Sequence, residues 1–498
     1  MREQGRPNES PGDGVDRTAG FDAGPTAVPA EGRVPRLSIV EKVGFSLGDA
    51  ASNIYFQTLI SFGTIFYTDV FGLSTKALAW MFLVSKVWDA VNDPMVGLVA
   101  DRTQTRWGKY RPYLLWFPIP FGIVGVLAFT TPAIGSTGKL IYAFLTYNLL
   151  LMLYTVVNVP YSALMGVMTP DSNDRTVLSS YRFFGAFFAK LLVEVFALSM
   201  IGWLGRGHAA AGWQWTMTVF SAIAVILFFI TFATTKERVQ PPKGQKTPLG
   251  QDLAGLFANL PWVLIAGATV FQLVFYGMRG GAVGYYIKYF VFSPAVRSRE
   301  VPLFGMVSYE QVWSAFLVAG TVTTILGVLL ATRINRLLGK ALTYALSLGI
   351  AGVASGAVYF LEPPNVVLLF VLQIVTSFCM GPLAVLQWAI FTDVADFGEW
   401  KRGRRSTALV MAASLFALKL GLAVGSAALV WILGAYGYRE NQEQTTRGLM
   451  GIRLVTSIYP SLFALLAMVV MFFYPLNRAQ MARVQSDLIE RRKQSNKD

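Results

Sequence analysis

Residues 88–113 read WDAVNDPMVGLVADRTQTRWGKYRPY. Two carboxylates, Asp89 and Asp93, stand four positions apart in an otherwise apolar run, and a basic cluster of Arg102, Arg106, Lys109 and Arg111 follows directly. Four positions is about one helical turn, so Asp89, Asn92, Asp93 and Val96 share a face. An apolar run that ends in a dense basic loop predicts a transmembrane helix whose far end is held on the cytoplasmic side. Ionised acids at bilayer depth are costly, which makes the pair a functional candidate. Carboxylates about 6 Å apart repel by roughly 3 kcal/mol at an effective dielectric of about 20, and desolvation adds to that. A positive charge between them relieves both costs. A structural pairing of Asp89 with Lys86, one turn earlier, is the competing reading.

The rest of the chain has the same character. It has 498 residues, 54% hydrophobic and 14% charged, where a soluble domain carries about 25% charged residues. Mean hydropathy is +0.50. Continuous apolar runs predict twelve membrane-spanning helices, near 42–67, 75–100, 111–131, 138–168, 177–203, 213–234, 260–290, 309–333, 338–361, 365–392, 406–436 and 450–475. A β-barrel is excluded because the runs do not alternate. The net charge of +14 does not point to nucleic acid, because the cations lie in short loops. Arg102, Arg106, Lys109 and Arg111 follow span two; Lys236, Arg238, Lys243 and Lys246 follow span six. Arg333, Arg336 and Lys340 follow span eight; Lys401, Arg402, Arg404 and Arg405 follow span ten. The alternate loops hold Lys76, Lys139 and Arg206, and the loop after span seven has Arg297 and Arg299 beside Glu300. This bias predicts an inner-membrane protein with both termini in the cytoplasm.

The exits of the spans repeat. Span two leaves through Arg106-Trp107-Gly108-Lys109 and span eight through Arg336 to Gly339-Lys340; span four ends at TPDSNDR (169–175) and span ten at TDVADFGEWKRGRR (392–405). The expected fold is therefore all-α and integral to the membrane: twelve transmembrane helices in two six-helix bundles around a midplane site. The expected division is a disordered cytoplasmic tail over 1–38, an N-terminal bundle over 39–234, a central cytoplasmic loop over 235–257, a C-terminal bundle over 258–478 and a cytoplasmic tail over 479–498. Cys379 and His208 are the only residues of their kinds. A cysteine-rich metal site, an internal disulfide and a histidine relay are thereby excluded, and Cys379 reads as a small buried hydrophobe.

Other polar residues lie within the apolar spans. LYTVVNVPYSAL (153–164) places Thr155 and Asn158 near Pro160, which removes a backbone donor and favours a bend. Both can face a cation or a hydroxylated solute, or simply join helices. Arg182 and Arg279 lie nearer span ends and can snorkel. Lys419 sits mid-span in SLFALKLGLAVGS (414–426) with no acid nearby in sequence, so its expected partner is Asp89 or Asp93. Tyr55, Trp88, Tyr161, Tyr285, Tyr286 and Trp388 suit either packing or stacking on a sugar ring. Arg175, Asp393, Asp396, Glu399 and Arg405 can form an ion-pair gate on the cytoplasmic side, or a solvated loop face.

The stretch WDAVNDPMVGLVADRTQTRWGKYRP resembles the signature of the glycoside–pentoside–hexuronide:cation symporters, the melibiose permease-like group of the major facilitator superfamily. FYTDVFGLS (66–74), NVPYSAL (158–164), SYRFFGAF (180–187), YYIKYF (285–290), FTDVADFGEWKRGRRS (391–406) and LKLG (418–421) occur in the matching order. The resemblance covers about residues 40–480. It implies a sodium or proton site at Asp89, Asn92, Asp93 and Thr155, with Lys419 close by and Arg182 on the substrate side. The sugar-binding aspartates of the melibiose permease branch are replaced here by Asn53 and Asn158, and a nearby tryptophan by Ser162. Those replacements, and Arg279 with Gly280 and Gly281, resemble the branch that includes xyloside and glucuronide carriers. Arg279 is accordingly expected to face a uronate carboxylate.

The function expected is secondary active, cation-coupled symport of a sugar, glycoside, pentoside or hexuronide by alternating access. Substrate contacts are expected at Asn53, Asn158, Arg182, Arg279 and Lys419. No cofactor beyond the coupling ion, no nucleic acid, no covalent chemistry and a monomer in the lipid bilayer are expected. Two alternatives are a lipid or lysolipid carrier on the same fold, which needs an apolar, side-open cavity, and a transport-inactive membrane sensor.

Overall fold

The structure is a computed structural model that describes residues 37–169, 172–238, 256–293, 298–301, 305–362, 364–402 and 407–495. Leu37 onward is one compact unit. The chain crosses back and forth twelve times. The first crossing is α1 (Ile39–Thr58), prolonged by two π-helical segments, Leu59–Gly63 and Phe66–Val70. The second is α2 (Thr75–Arg102) and the third is divided into α3 (Tyr113–Trp116) and α4 (Pro118–Ala128). Then come α5 (Ser136–Met168), α6 (Ser172–Gly205) and α7 (Ala209–Thr234). In the second half, α8 (Leu260–Tyr285) is prolonged by a π-helical segment, Tyr286–Val291. A hairpin of β1 (Ser298–Val301) and β2 (Gly305–Ser308) leads into α9 (Tyr309–Leu338). There follow α10 (Lys340–Ala357), α11 (Val366–Arg402), α12 (Thr407–Ala435), and the divided last crossing, α13 (Thr446–Thr456) with α14 (Ile458–Phe472). An amphiphilic α15 (Arg478–Ser495) packs back on α11, where Trp400 donates its indole N–H to Asp487 at 2.8 Å. Among the described residues, nine helical stretches are long and apolar enough to cross a membrane, and Thr75–Ser85 and Pro118–Ala128 are shorter apolar helices.

Local chemistry sets these boundaries. Ser38 caps α1 in a reciprocal box with Glu41, and Ser308 with Gln311 does the same for α9. Pro118 and Pro120 lack the donors that would bond back to the preceding turn, which divides the third crossing. Pro160 lies inside α5 without ending it; the Val156 carbonyl one turn earlier loses its helical donor there.

The two bundles repeat each other. In the first, α1 packs along α6 and α7, and α2 along α5; in the second, α8 packs along α12 and α14, and α9 along α11. The bundles meet where α2 faces α12 and α6 faces α9. Exchanging the halves converts one of these contacts into the other, as two equivalent six-helix units require. Close approach is obtained with glycine. A Cβ on Gly185 would lie 2.3 Å from the Ser46 carbonyl oxygen across α1/α6, and one on Gly425 would lie 2.6 Å from the Val274 carbonyl oxygen at the matching α8/α12 crossing. Gly185→Val is expected to destabilise the bundle by about 1–3 kcal/mol through overpacking, read as a lower thermal midpoint of purified protein in detergent; an unchanged midpoint would show that the crossing yields.

The basic loop after α2 is tied down by an acid from far along the chain. The Glu237 carboxylate accepts the backbone N–H groups of Lys109 (2.8 Å), Tyr110 (2.7 Å) and Arg111 (3.0 Å), an anion held in a nest of consecutive amides. Gly108 makes the nest possible: its φ is +112°, and a Cβ there would meet the Glu237 carboxylate at 2.5 Å. Arg111 completes the clamp by donating to the carbonyls of Trp107 (3.2 Å) and Phe232 (2.8 Å).

Candidate ion and substrate site

Asp89 and Asp93 project from α2 toward α5 and α12. The Thr155 hydroxyl of α5 is 3.2 Å from an Asp89 oxygen and 2.9 Å from an Asp93 oxygen. The Lys419 ammonium of α12 sits on the other oxygens of both acids, 3.1 Å from Asp89 and in direct contact with Asp93. One positive charge from the second bundle thus bridges two negative charges of the first. Asn92 is buried beside them, and its amide nitrogen has no hydrogen-bond partner among the described residues. Carboxylate, hydroxyl and amide oxygens are the donors a small hard cation uses. A proton needs only one of the carboxylates.

A second charged cluster lies in the first bundle. Arg182 of α6 donates through Nε to Asp49 of α1 at 2.9 Å, with its guanidinium 5.3 Å from the centre of the Tyr161 ring. Asn53, one turn after Asp49, donates its amide to the Asp49 backbone carbonyl (2.9 Å) and carboxylate (3.3 Å). Gln57 continues the row. Tyr154, next to Thr155 on α5, is within electrostatic reach of both clusters: Asp49, Arg182, Asp89 and Asp93. Asn158, one turn along from Thr155 and Tyr154, has a buried carbonyl oxygen without a hydrogen-bond partner among the described residues. Asn53, Asn158, Arg182, Lys419 and the acid pair are therefore gathered on α1, α2, α5, α6 and α12. Arg279 is not brought to them. It donates to Ser355 (3.2 Å) and Gln373 (2.6 Å) inside the second bundle, above the Phe316 ring.

Two further polar groups join the bundles. Lys190 and Glu194 of α6 are 3.7 Å apart; Glu194 accepts from Thr321 of α9 at 2.6 Å, and its backbone carbonyl takes the Ser314 hydroxyl. At the Val70 end, Asp69 from the π-helical segment after α1 takes Lys288 (2.5 Å) and the hydroxyls of Tyr289 (2.5 Å) and Tyr438. Its backbone carbonyl accepts from Asn441 (2.6 Å), and the neighbouring Thr68 meets the Tyr285 hydroxyl at 2.7 Å. The Asp69 side chain is only 2% exposed.

At the opposite end, Asp393 pairs with Lys340 at 2.5 Å within the second bundle. Asp396 and Glu399 follow on the same helix, α11. Arg405 lies outside the described residues, as does the side chain of Arg175.

Sequence reasoning passed over Asp49, Asp69, Lys190, Glu194, Glu237 and Lys288. The signal for three of them was present: Asp49, Lys190 and Glu194 are charges inside apolar spans, the same signal that singled out Asp89 and Asp93. Asp69, Lys288 and Glu237 stand at span ends, where a charge is ordinary, and only the fold shows what each one meets.

Two equivalent bundles of membrane-crossing helices, with charges buried where they meet, define a transporter of the major facilitator superfamily rather than an enzyme. The sequence profile of the MFS/sugar transport protein family matches residues 44–478. The chain is similar to the inner membrane symporter YicJ of Escherichia coli (strain K12), 35% identical over 456 residues that cover 91% of this chain and 95% of that protein. It is likewise similar to the putative glycoside/cation symporter YagG of the same strain, 34% identical over 458 residues, 92% and 96% of the two chains. Its fold resembles the crystal structure of a D-xylose-proton symporter, with a TM-score of 0.56 at 15% identity over 88% of this chain and 97% of that one. The chain belongs to the glycoside–pentoside–hexuronide:cation symporter family.

Proposed function

We propose that this protein carries a sugar or glycoside across the inner membrane together with a sodium ion or a proton, by alternating access between its two bundles. The observation that carries this reading is the bridge of Lys419 over Asp89 and Asp93. A monovalent cation and the lysine ammonium are alternative countercharges for the same two acids. When the cation takes the acids, with help from Thr155 and Asn92, Lys419 is released toward the solute. Asn53, Asn158 and Arg182 supply the polar surface for hydroxyl groups. The putative glycoside/cation symporter that this chain resembles in sequence supports a sugar cargo. A lipid cargo is disfavoured because a hydrocarbon chain against Asn53, Asn158, Arg182 and Lys419 would leave those polar groups unsatisfied.

The basic loops favour both termini in the cytoplasm, so Asp69, Lys288, Tyr289 and Tyr438 would close the outer end. The inner gate would be made by Arg175, Asp393, Asp396, Glu399 and Arg405, with bundles over 39–234 and 258–478 rocking about the site. Counterflow of labelled glycosides in proteoliposomes, with and without sodium and at two pH values, tests the reading. Cation-dependent exchange is expected. Equal exchange in every ionic condition would remove cation coupling.

A further inference from the structure

Arg182 pairs with Asp49 at 2.9 Å within the first bundle. Among the described residues around Tyr154, three carboxylates (Asp49, Asp89 and Asp93) face two cations (Arg182 and Lys419). As ionised groups they leave one negative charge. Lys190 and Glu194 cancel each other, and Arg279 is committed to Ser355 and Gln373 in the second bundle. One bound monovalent cation brings these five described groups to neutrality, and a solute without charge keeps them there. A uronate would restore the buried negative charge: Lys419, released when the cation takes the acids, is already included in that balance, and Arg182 holds Asp49 at 2.9 Å. Bringing a second carboxylate to that pair sets like charges together in a desolvated place.

Resting on the sugar-carrier reading, we infer that Asp49 is a specificity-determining residue that cancels Arg182 and restricts the site to uncharged, hydroxyl-rich solutes. The remaining groups suit such a solute. Asn53 is oriented by Asp49, and the Asn158 carbonyl oxygen is buried and without a hydrogen-bond partner among the described residues. An amide oxygen accepts from a sugar hydroxyl and repels a carboxylate. The uronate role expected for Arg279 has no support in its position.

The test uses the full-length protein, purified in detergent with sodium present. The probes are p-nitrophenyl glucoside, galactoside and xyloside against p-nitrophenyl glucuronide and galacturonide. Glucoside and glucuronide differ only at C6, as do galactoside and galacturonide, so these two pairs isolate charge. Binding is read from the shift in thermal midpoint over a concentration series. Wild type is expected to bind its best neutral glycoside at least tenfold more tightly than the matching uronide. Asp49→Asn, which leaves Arg182 uncancelled, is expected to lose or reverse that preference by at least tenfold. Asp49→Glu keeps the charge and should keep the preference. Asp49→Asn combined with Arg182→Gln should restore discrimination against the uronide even if overall affinity falls. A wild type that binds the uronide as well as or better than the neutral partner overturns the inference, and this arm decides the matter even if Asp49→Asn does not fold. Retention of the neutral preference in a folded Asp49→Asn also overturns it. If wild type binds none of the five probes, the sugar-carrier reading itself fails, which is a separate outcome.

Discussion

Asp93→Asn is expected to reduce cation-driven accumulation of the solute by about 100-fold, with energy-independent exchange reduced far less. Asp93 shares the Thr155 hydroxyl and the Lys419 ammonium with Asp89. Removing its charge takes away one of two carboxylate ligands from a bound cation. A charge-assisted contact of this kind is worth about 1.5–3 kcal/mol, roughly 10- to 100-fold in cation affinity. It also leaves Lys419 with a single acid, which is enough to neutralise it. The lysine then has no reason to move when a cation arrives, and the link between cation and solute is lost along with affinity. Uptake into membrane vesicles under an imposed sodium or proton gradient measures the first effect, and counterflow without a gradient measures the second. Accumulation within twofold of wild type would place the coupling cation elsewhere.

Asp69→Ala is expected to unlock the opposite end. Asp69 is nearly fully covered and gathers an ammonium, two phenol groups and the Thr68 hydroxyl. Its loss leaves Lys288 covered without its acid, and breaking such a pair costs about 3–5 kcal/mol. That energy is lost only by the conformation in which the ends of α1 and α8 touch. A shift of about 3 kcal/mol moves a two-state population by about 150-fold. Cysteines introduced near Asn441 or Phe71 should then react faster with an impermeant maleimide, and solute exchange should slow because the closed state is disfavoured. Labelling rates unchanged from wild type would show that the latch does not set the equilibrium. Restoring the carboxylate as Asp69→Glu should recover part of the wild-type rate.

The span-two motif carried much of this in one dimension. Its acids share a helical face, and period alone gives that. The twelve crossings follow from apolar runs that must fill a bilayer. The partnership of Lys419 with the acids was also legible, since a mid-span lysine without a neighbouring acid needs one from another helix. What the sequence leaves open is which helix meets which. Arg182 and Asp49 are 133 residues apart, and nothing local marks them as a pair. Arg279 looks as available as Arg182 on paper, yet the fold turns it toward Ser355 and Gln373. The role of Glu237 is invisible without the positive φ at Gly108, because a nest of backbone amides has no residue signature beyond one glycine. The π-helical endings of α1 and α8 carry Asp69 and Lys288, which meet at matching places in the two halves.

Linkage gives the most direct measurement of the central claim. Equilibrium binding of a labelled glycoside to the purified protein is titrated with sodium at fixed pH, and with protons in the absence of sodium. Binding energies are reciprocal, so the factor by which the cation tightens solute binding must equal the factor by which the solute tightens cation binding. Wild type should show this equal factor with one of the two ions, and a protein carrying both Asp89→Asn and Asp93→Asn should bind the solute with an affinity independent of either ion. Tightening by sodium or protons that persists undiminished in the double variant would contradict the proposal that the cation sits between those two acids.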